Sequence, residues 1–199
     1  NPRLLMERGN KLCFGCHADK EQKVSFPHAP VAGEKGCLAC HRPHAAKNDH
    51  LLAGKGAGRC FTCHQKTKDA PKTKHTHPPF AGGMCTACHN PHGSNFARLF
   101  NGRPDKVCYS CHPDSEAGFA KKTVHKPVLD GACNSCHDAH GSNEGKLRKA
   151  AGAKLCGQCH GELMKEVQDN TVHPPFKNGQ CLTCHSPHAS GQDGMIVQD

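Results

Sequence analysis

The 199-residue sequence has no Trp, one Tyr and eight Phe, so aromatics supply only 5% of it, and hydrophobic residues of every kind reach only 35%. A chain of this length ordinarily buries a core of large rings and branched aliphatics. The supply here is too thin for one. Long apolar runs are missing as well: none approaches the roughly 18–20 residues of a membrane span. No signal-type stretch follows Asn1, which reads as a mature or trimmed soluble chain. Gly (21) and Pro (14) interrupt the chain so often that long helices and wide sheets are excluded. Something other than side chains has to fill the interior.

What is abundant is cysteine and histidine, 16 and 18 residues respectively. Every cysteine belongs to one of eight C-x-x-C-H motifs: Cys13, Cys16 and His17; Cys37, Cys40 and His41; Cys60, Cys63 and His64; Cys85, Cys88 and His89; Cys108, Cys111 and His112; Cys133, Cys136 and His137; Cys156, Cys159 and His160; Cys181, Cys184 and His185. Three chemistries use closely spaced cysteines. Zinc takes C-x-x-C pairs but does not require His directly after the second Cys, and neither disulfide frameworks nor dithiol redox sites use that His. Covalent haem c uses all three residues: two thiols form thioethers to the porphyrin edge, and the following imidazole lies under the iron. Eight motifs therefore predict eight covalently attached haem c groups, with the eight motif histidines as proximal iron ligands.

Successive first cysteines lie 24, 23, 25, 23, 25, 23 and 25 residues apart, so the period is two motifs, repeated four times. Even motifs run on to a second histidine three residues later, at His44, His92, His140 and His188. A His-x-Pro element precedes each even motif, at His28, His77, His125 and His173. Recurrence in all four repeats marks these eight as distal ligands, which balances eight proximal with eight distal imidazoles. A histidine only three residues past the proximal one emerges on the same side of the chain and cannot reach round its own porphyrin, so it should serve a neighbouring haem. The partner of the His-x-Pro histidine stays open at this point. His50 and His75 fall outside the pattern and read as solvated or propionate-bonded imidazoles.

The expected fold is mostly irregular with short α-helices: four tandem dihaem repeats, 1–59, 60–107, 108–155 and 156–199 with a C-terminal tail, wrapped around a chain of eight haems. Residues 18–24 and 161–167 should make a turn or two of helix, while Pro-rich stretches such as 78–80 should be extended and no sheet should form. Small apolar pairs open the repeats (Leu4–Leu5, Leu51–Leu52, Leu99–Phe100 and the weaker Leu147), and residues 194–199 stand where a fifth would open. That tail reads as a terminal plug or a docking edge. Sixteen propionates and one positive charge per ferric haem core would bring the chain's +9 to about +1 oxidised and about −7 reduced, so the basic balance does not argue for nucleic acid.

The pattern C-x-x-C-H, H-x-P, G-x-C-x-x-C-H-x-P-H-G, clearest at 60–93, resembles the doubled-CXXCH multihaem c-type cytochromes of microbes that respire metals or other external acceptors. The resemblance runs over four tandem copies, with Ala139 replacing the Pro of H-x-P-H in the third and HASG replacing HGS in the fourth. It implies bis-histidine, low-spin, low-potential haems that conduct electrons along the chain. It also implies a periplasmic or extracellular location and one of three settings: a subunit of an extracellular cytochrome filament (a nanowire), the partner of an outer-membrane porin, or a shuttle among other redox proteins. The competing class is a multihaem reductase acting on nitrite, hydroxylamine or tetrathionate. Such an enzyme needs one open iron, often marked by Lys in place of the motif His, and none of the eight motifs has that change. No catalytic residues are expected in a carrier.

Overall fold

The computed structural model describes residues 5–69, 72–165 and 171–197; Leu4, residues 166–167 and residues 198–199, which figure in the expectations above, lie outside them. The chain divides into two compact units, Asn1–Asp69 with Pro78–Arg103, and Ala70–His77 with Pro104–Asp199.

The structure is mostly irregular, with short helices and very small sheets. Each repeat is built from the same pieces. A helix enters the odd motif (Asn10–Phe14, Ala57–Phe61, Pro104–Tyr109, Gly152–Cys156) and a second turn or helix follows it (Ala18–Lys20, Gln65–Asp69, Pro113–Phe119, Gly161–Lys165). A helical turn then follows the His-x-Pro histidine (Ala29–Ala32, Pro78–Ala81, Lys126–Leu129, Pro174–Lys177). Residues 78–80 are therefore helical, not extended. His28, His125 and His173 are the N-caps, and proline at the first positions suits a helix start, where its missing N–H is not needed and its fixed φ is already helical. No described helix is long and apolar enough to cross a membrane.

Three antiparallel strand pairs also form, against the expectation of no sheet: β1 (Phe26–Pro27) with β3 (Gly93–Ser94), β2 (His75–Thr76) with β5 (Gly141–Ser142), and β4 (Thr123–Val124) with β6 (Ala189–Ser190). Each joins the residues before a His-x-Pro histidine to those after the H-x-P-H or H-x-A-H of the next repeat. Two residues per strand are too few to show a period-2 pattern in sequence. They suffice to set register: Pro27 lies opposite Gly93, Thr76 opposite Gly141 and Val124 opposite Ala189.

Within a repeat, the helix entering the odd motif touches the glycine ahead of the even motif. A Cβ on Gly131, at φ +70°, would lie 2.9 Å from the carboxyl of buried Asp105. One on Gly83 or Gly179 would lie 3.0 or 3.1 Å from the Cβ of Ala57 or Ala153. In the first repeat Asn10 fills this position, accepting from the Cys37 amide at 2.8 Å and donating to the Val31 carbonyl at 2.8 Å. Only glycine permits both the left-handed backbone and the contact.

The polypeptide buries little of itself. Its accessible surface is 14502 Å², against about 9,000 Å² for a compact globule of this mass. Among the described residues the buried apolar side chains are Ala150 and Ala189, while Leu38, Met84, Leu129 and Leu182 are exposed. Scarcity of large apolar residues in the sequence thus becomes, among the described residues, absence of a side-chain core.

Candidate haem-attachment sites

In all eight motifs the histidine amide donates to the carbonyl of the first cysteine, at 2.9–3.1 Å. This closes one helical turn, in which positions i, i+3 and i+4 share a face. Both thiols and the imidazole therefore face one partner. None of the sixteen cysteines forms a disulfide; the thiols stand where thioether sulfurs would be.

The imidazoles pair across repeats. His28 faces His64 with ring centres 6.1 Å apart and planes 17° from parallel, His77 faces His112 at 6.2 Å and 18°, and His125 faces His160 at 6.2 Å and 20°. His41 faces His92 at 6.2 Å and 13°, and His137 faces His188 at 6.0 Å and 19°. Contact stacking would bring the rings much closer. The observed separation matches two imidazoles bound to opposite sides of one metal: about 2 Å from each nitrogen to the metal and about 1 Å from nitrogen to ring centre sum to roughly 6 Å. Among the described residues no group of three or more His, Cys, Asp or Glu could hold a metal ion. A tetrahedral zinc site needs four such ligands; an iron whose other four ligands come from a porphyrin needs two.

Hydrogen bonds fix which nitrogen is available. Nδ1 of His28, His77 and His125 donates to the carbonyls of Pro91, Ala139 and Pro187 at 2.7, 3.0 and 2.9 Å. Nδ1 of the even-motif histidines His41, His89, His137 and His185 donates to the carbonyls of His50, Arg98, Lys146 and Gly194 at 2.8–2.9 Å. A carbonyl only accepts, so Nδ1 carries the proton and Nε2 presents its lone pair. Burial lowers the pKa of His92 and His188, with facing His41 and His137 adding to the shift, which favours the neutral imidazole a metal requires.

The carbonyls that hold the even-motif histidines belong to turns the sequence does not announce. His50–Leu51, Arg98–Leu99, Lys146–Leu147 and Gly194–Met195 all have φ between +55° and +67°. This gives His50 a role through its backbone, while His75 pairs through its backbone with Ser142 in β2–β5. The turns fold back on their own motif through bridges His41–Leu52, His89–Phe100, His137–Arg148 and His185–Ile196. The Met195–Ile196 segment thus repeats what the segments at Leu51–Leu52, Leu99–Phe100 and Leu147 do. Ser94, Ser142 and Ser190 lock the same turns, each donating to the carbonyl of Phe100, Arg148 or Ile196 and accepting from an amide two residues on at 3.0 Å.

The anchors are also close to one another. Within repeats, the thiols of Cys13 and Cys37, Cys60 and Cys85, Cys108 and Cys133, and Cys156 and Cys181 lie close enough to perturb one another's ionisation. Between repeats, Cys40 acts on Cys60, and Cys136 on Cys156.

The model of the doubled CXXCH motif matches residues 1–22, 28–69, 77–117, 125–165 and 173–199. The chain belongs to the doubled CXXCH motif family. It is a multihaem c-type cytochrome, binding haem c through its CXXCH motifs and working in electron transfer. Each of the family's three complete segments here begins at a His-x-Pro histidine and spans an even motif and the odd motif after it. No curated protein matches the chain.

Proposed function

We propose that this cytochrome is an electron carrier with eight haem c groups, each iron held between a motif histidine and an imidazole from another repeat. The observation that carries the reading is the set of five facing imidazole pairs at 6.0–6.2 Å. In this assignment His28, His77 and His125 serve the irons of His64, His112 and His160, and His92 and His188 serve those of His41 and His137. His44, His140 and His173 belong to the same distal set by their place in the repeat.

Bound haem supplies a one-electron couple, and two imidazole ligands leave it no exchangeable position. The chain's part is placement. Each CXXCH turn presents two thiols and an imidazole to one porphyrin, the Nδ1 protons are held by backbone carbonyls, and adjoining anchors keep successive attachment points close. The porphyrins take the place of the missing core.

A reductase would need an open iron beside a pocket lined with acid and base groups. Haem c attachment of this kind places the protein outside the cytoplasmic membrane, in the periplasm or beyond the cell. Its partners there are other redox proteins, a second copy of itself in a filament, or an outer-membrane porin, and not nucleic acid.

The test is haem content per chain together with the ferric paramagnetic resonance of the parent and of His92→Gln. Eight haems, and one more high-spin haem in the variant than in the parent, are expected. An unchanged spectrum would refute the ligand assignment, and turnover of nitrite, hydroxylamine or tetrathionate would favour the reductase.

A further inference from the structure

The four repeats share their motifs but differ at one inward position. Three residues ahead of each odd motif's first cysteine stand Asn10, Ala57, Asp105 and Ala153. The helix entering the odd motif carries this side chain to the backbone just ahead of the even motif. Asn10 accepts from the Cys37 amide at 2.8 Å, and its Oδ1 lies 3.1 Å from the Cys37 sulfur. Ala57 and Ala153 touch Gly83 and Gly179, and the Asp105 carboxyl lies against Gly131. The position therefore adjoins the sulfur that would carry the even-motif haem. Three repeats fill it with a neutral group, and the third fills it with an acid.

Asp105 is 4% exposed, and among the described residues it is the one buried acidic or basic side chain. Its carboxyl is near enough to act electrostatically on the Cys133 sulfur and on the Tyr109 phenol. The neighbouring charges of Lys106 and Glu116 pair with each other at the surface, where water screens them. A carboxylate taken out of water acts more strongly than an exposed one at the same distance.

We propose that Asp105 sets the potential of the haem anchored by Cys133 and Cys136, holding it below the value that a neutral residue at the same place would give. A ferric haem core bears one positive charge and loses it when one electron arrives, with both axial imidazoles retained. A negative charge beside it stabilises the ferric core and leaves the neutral ferrous core almost unaffected. Asp105 supplies no ligand; it acts through its charge. It thereby sets the third repeat apart from the others although all four use the same types of ligand. The inference rests on the haem attachment and bis-imidazole ligation proposed above.

Reading one haem among several needs a label. His188→Gln opens the iron held by His137 and is expected to make it high-spin, so loss of that ferric resonance during an electrochemical titration gives the midpoint of this haem alone. The full-length holoprotein carrying the label is compared with the label plus Asp105→Asn, plus Asp105→Ala, and plus Asp114→Asn. Asparagine and alanine are the residues that the other repeats hold at this place, and Asp114 is an exposed carboxylate on the following helix. Both Asp105 variants are expected to keep their haem content and to raise the labelled midpoint. The ferrous-to-ferric ratio at a given potential should grow by about tenfold, or about 59 mV for one electron. Asp114→Asn is expected to move it by much less. An unmoved midpoint in both Asp105 variants overturns the proposal, as does an equal shift from Asp114→Asn. Loss of haem or of far-ultraviolet dichroism in both Asp105 variants would assign the residue a purely structural part and overturn it too. If His188→Gln adds no high-spin haem, the bis-imidazole reading falls and the proposal with it, whereas an unmoved midpoint alone leaves that reading intact.

Discussion

The left-handed turns under the even-motif histidines carry a measurable strain. Arg98 has φ +59° and an exposed side chain, and an L-residue in this region costs about 1–2 kcal/mol. Arg98→Gly removes that cost but loosens the unfolded chain by about 0.5–1 kcal/mol. The net gain is then about 0.5–1 kcal/mol, or roughly 1–4 °C in the unfolding midpoint for a chain of this size. The fourth turn supplies the mirror experiment. Gly194 sits at φ +67°, and a Cβ there would meet nothing closer than the Ile196 side chain at 4.0 Å. Gly194→Arg therefore adds only the backbone term, and should lower the midpoint by a similar amount. Thermal unfolding of both variants, followed by far-ultraviolet dichroism, reads the two shifts. A fall for Arg98→Gly, or no fall for Gly194→Arg, would show that the turns are relaxed and that the carbonyl–Nδ1 bonds carry no backbone cost.

Other perturbations test the packing around the sites. Ser142→Ala strands the Arg148 carbonyl and the Glu144 amide and should cost about 1–3 kcal/mol in a denaturant titration. Gly131→Ala meets both a left-handed backbone and the Asp105 carboxyl, and should be more damaging than Gly194→Ala by about 1–3 kcal/mol in the same assay. Phe100→Leu removes a ring stacked 5.2 Å from His89; a loss of about 1 kcal/mol, with a change in the low-spin resonance of one haem, is expected. A strong zinc chelator should leave both the dichroism and the visible spectrum of the holoprotein unchanged, whereas unfolding would revive a structural zinc site.

Sequence alone exposed the parts of this site that depend on residue identity. Cys13, Cys16 and His17 and their seven counterparts are fixed by chemistry at a short spacing, and the recurrence of His28 and His44 is plain in the repeat. What it left hidden depends on backbone. The carbonyl of His50 or Arg98 has no side-chain signature, and β1 and β3 are too short to alternate. Pro78–Ala81 is legible as proline-rich, but the proline ring suits an extended chain and a helix start equally, and residue identity does not decide between them. The partner of His28 could have been found: the offset from each His-x-Pro histidine to the next odd-motif histidine stays at 35 or 36, while the surrounding residues change.

These offsets separate two events in the making of the holoprotein under the proposed ligation. Two thiols and a proximal imidazole lie within five residues, so attachment asks nothing of the fold and can proceed on an extended chain. The distal imidazole comes from another repeat, 35 to 51 residues away, and arrives only when the repeats interlock. Closing a loop of that length costs about 4 kcal/mol in chain entropy. With almost no buried apolar side chain to offset it, that cost falls on the imidazole–iron bond together with a strand pair of two residues and one Nδ1–carbonyl bond. A lost distal ligand should therefore loosen the joint between two repeats while leaving haem content intact, and a lost cysteine should reduce haem content.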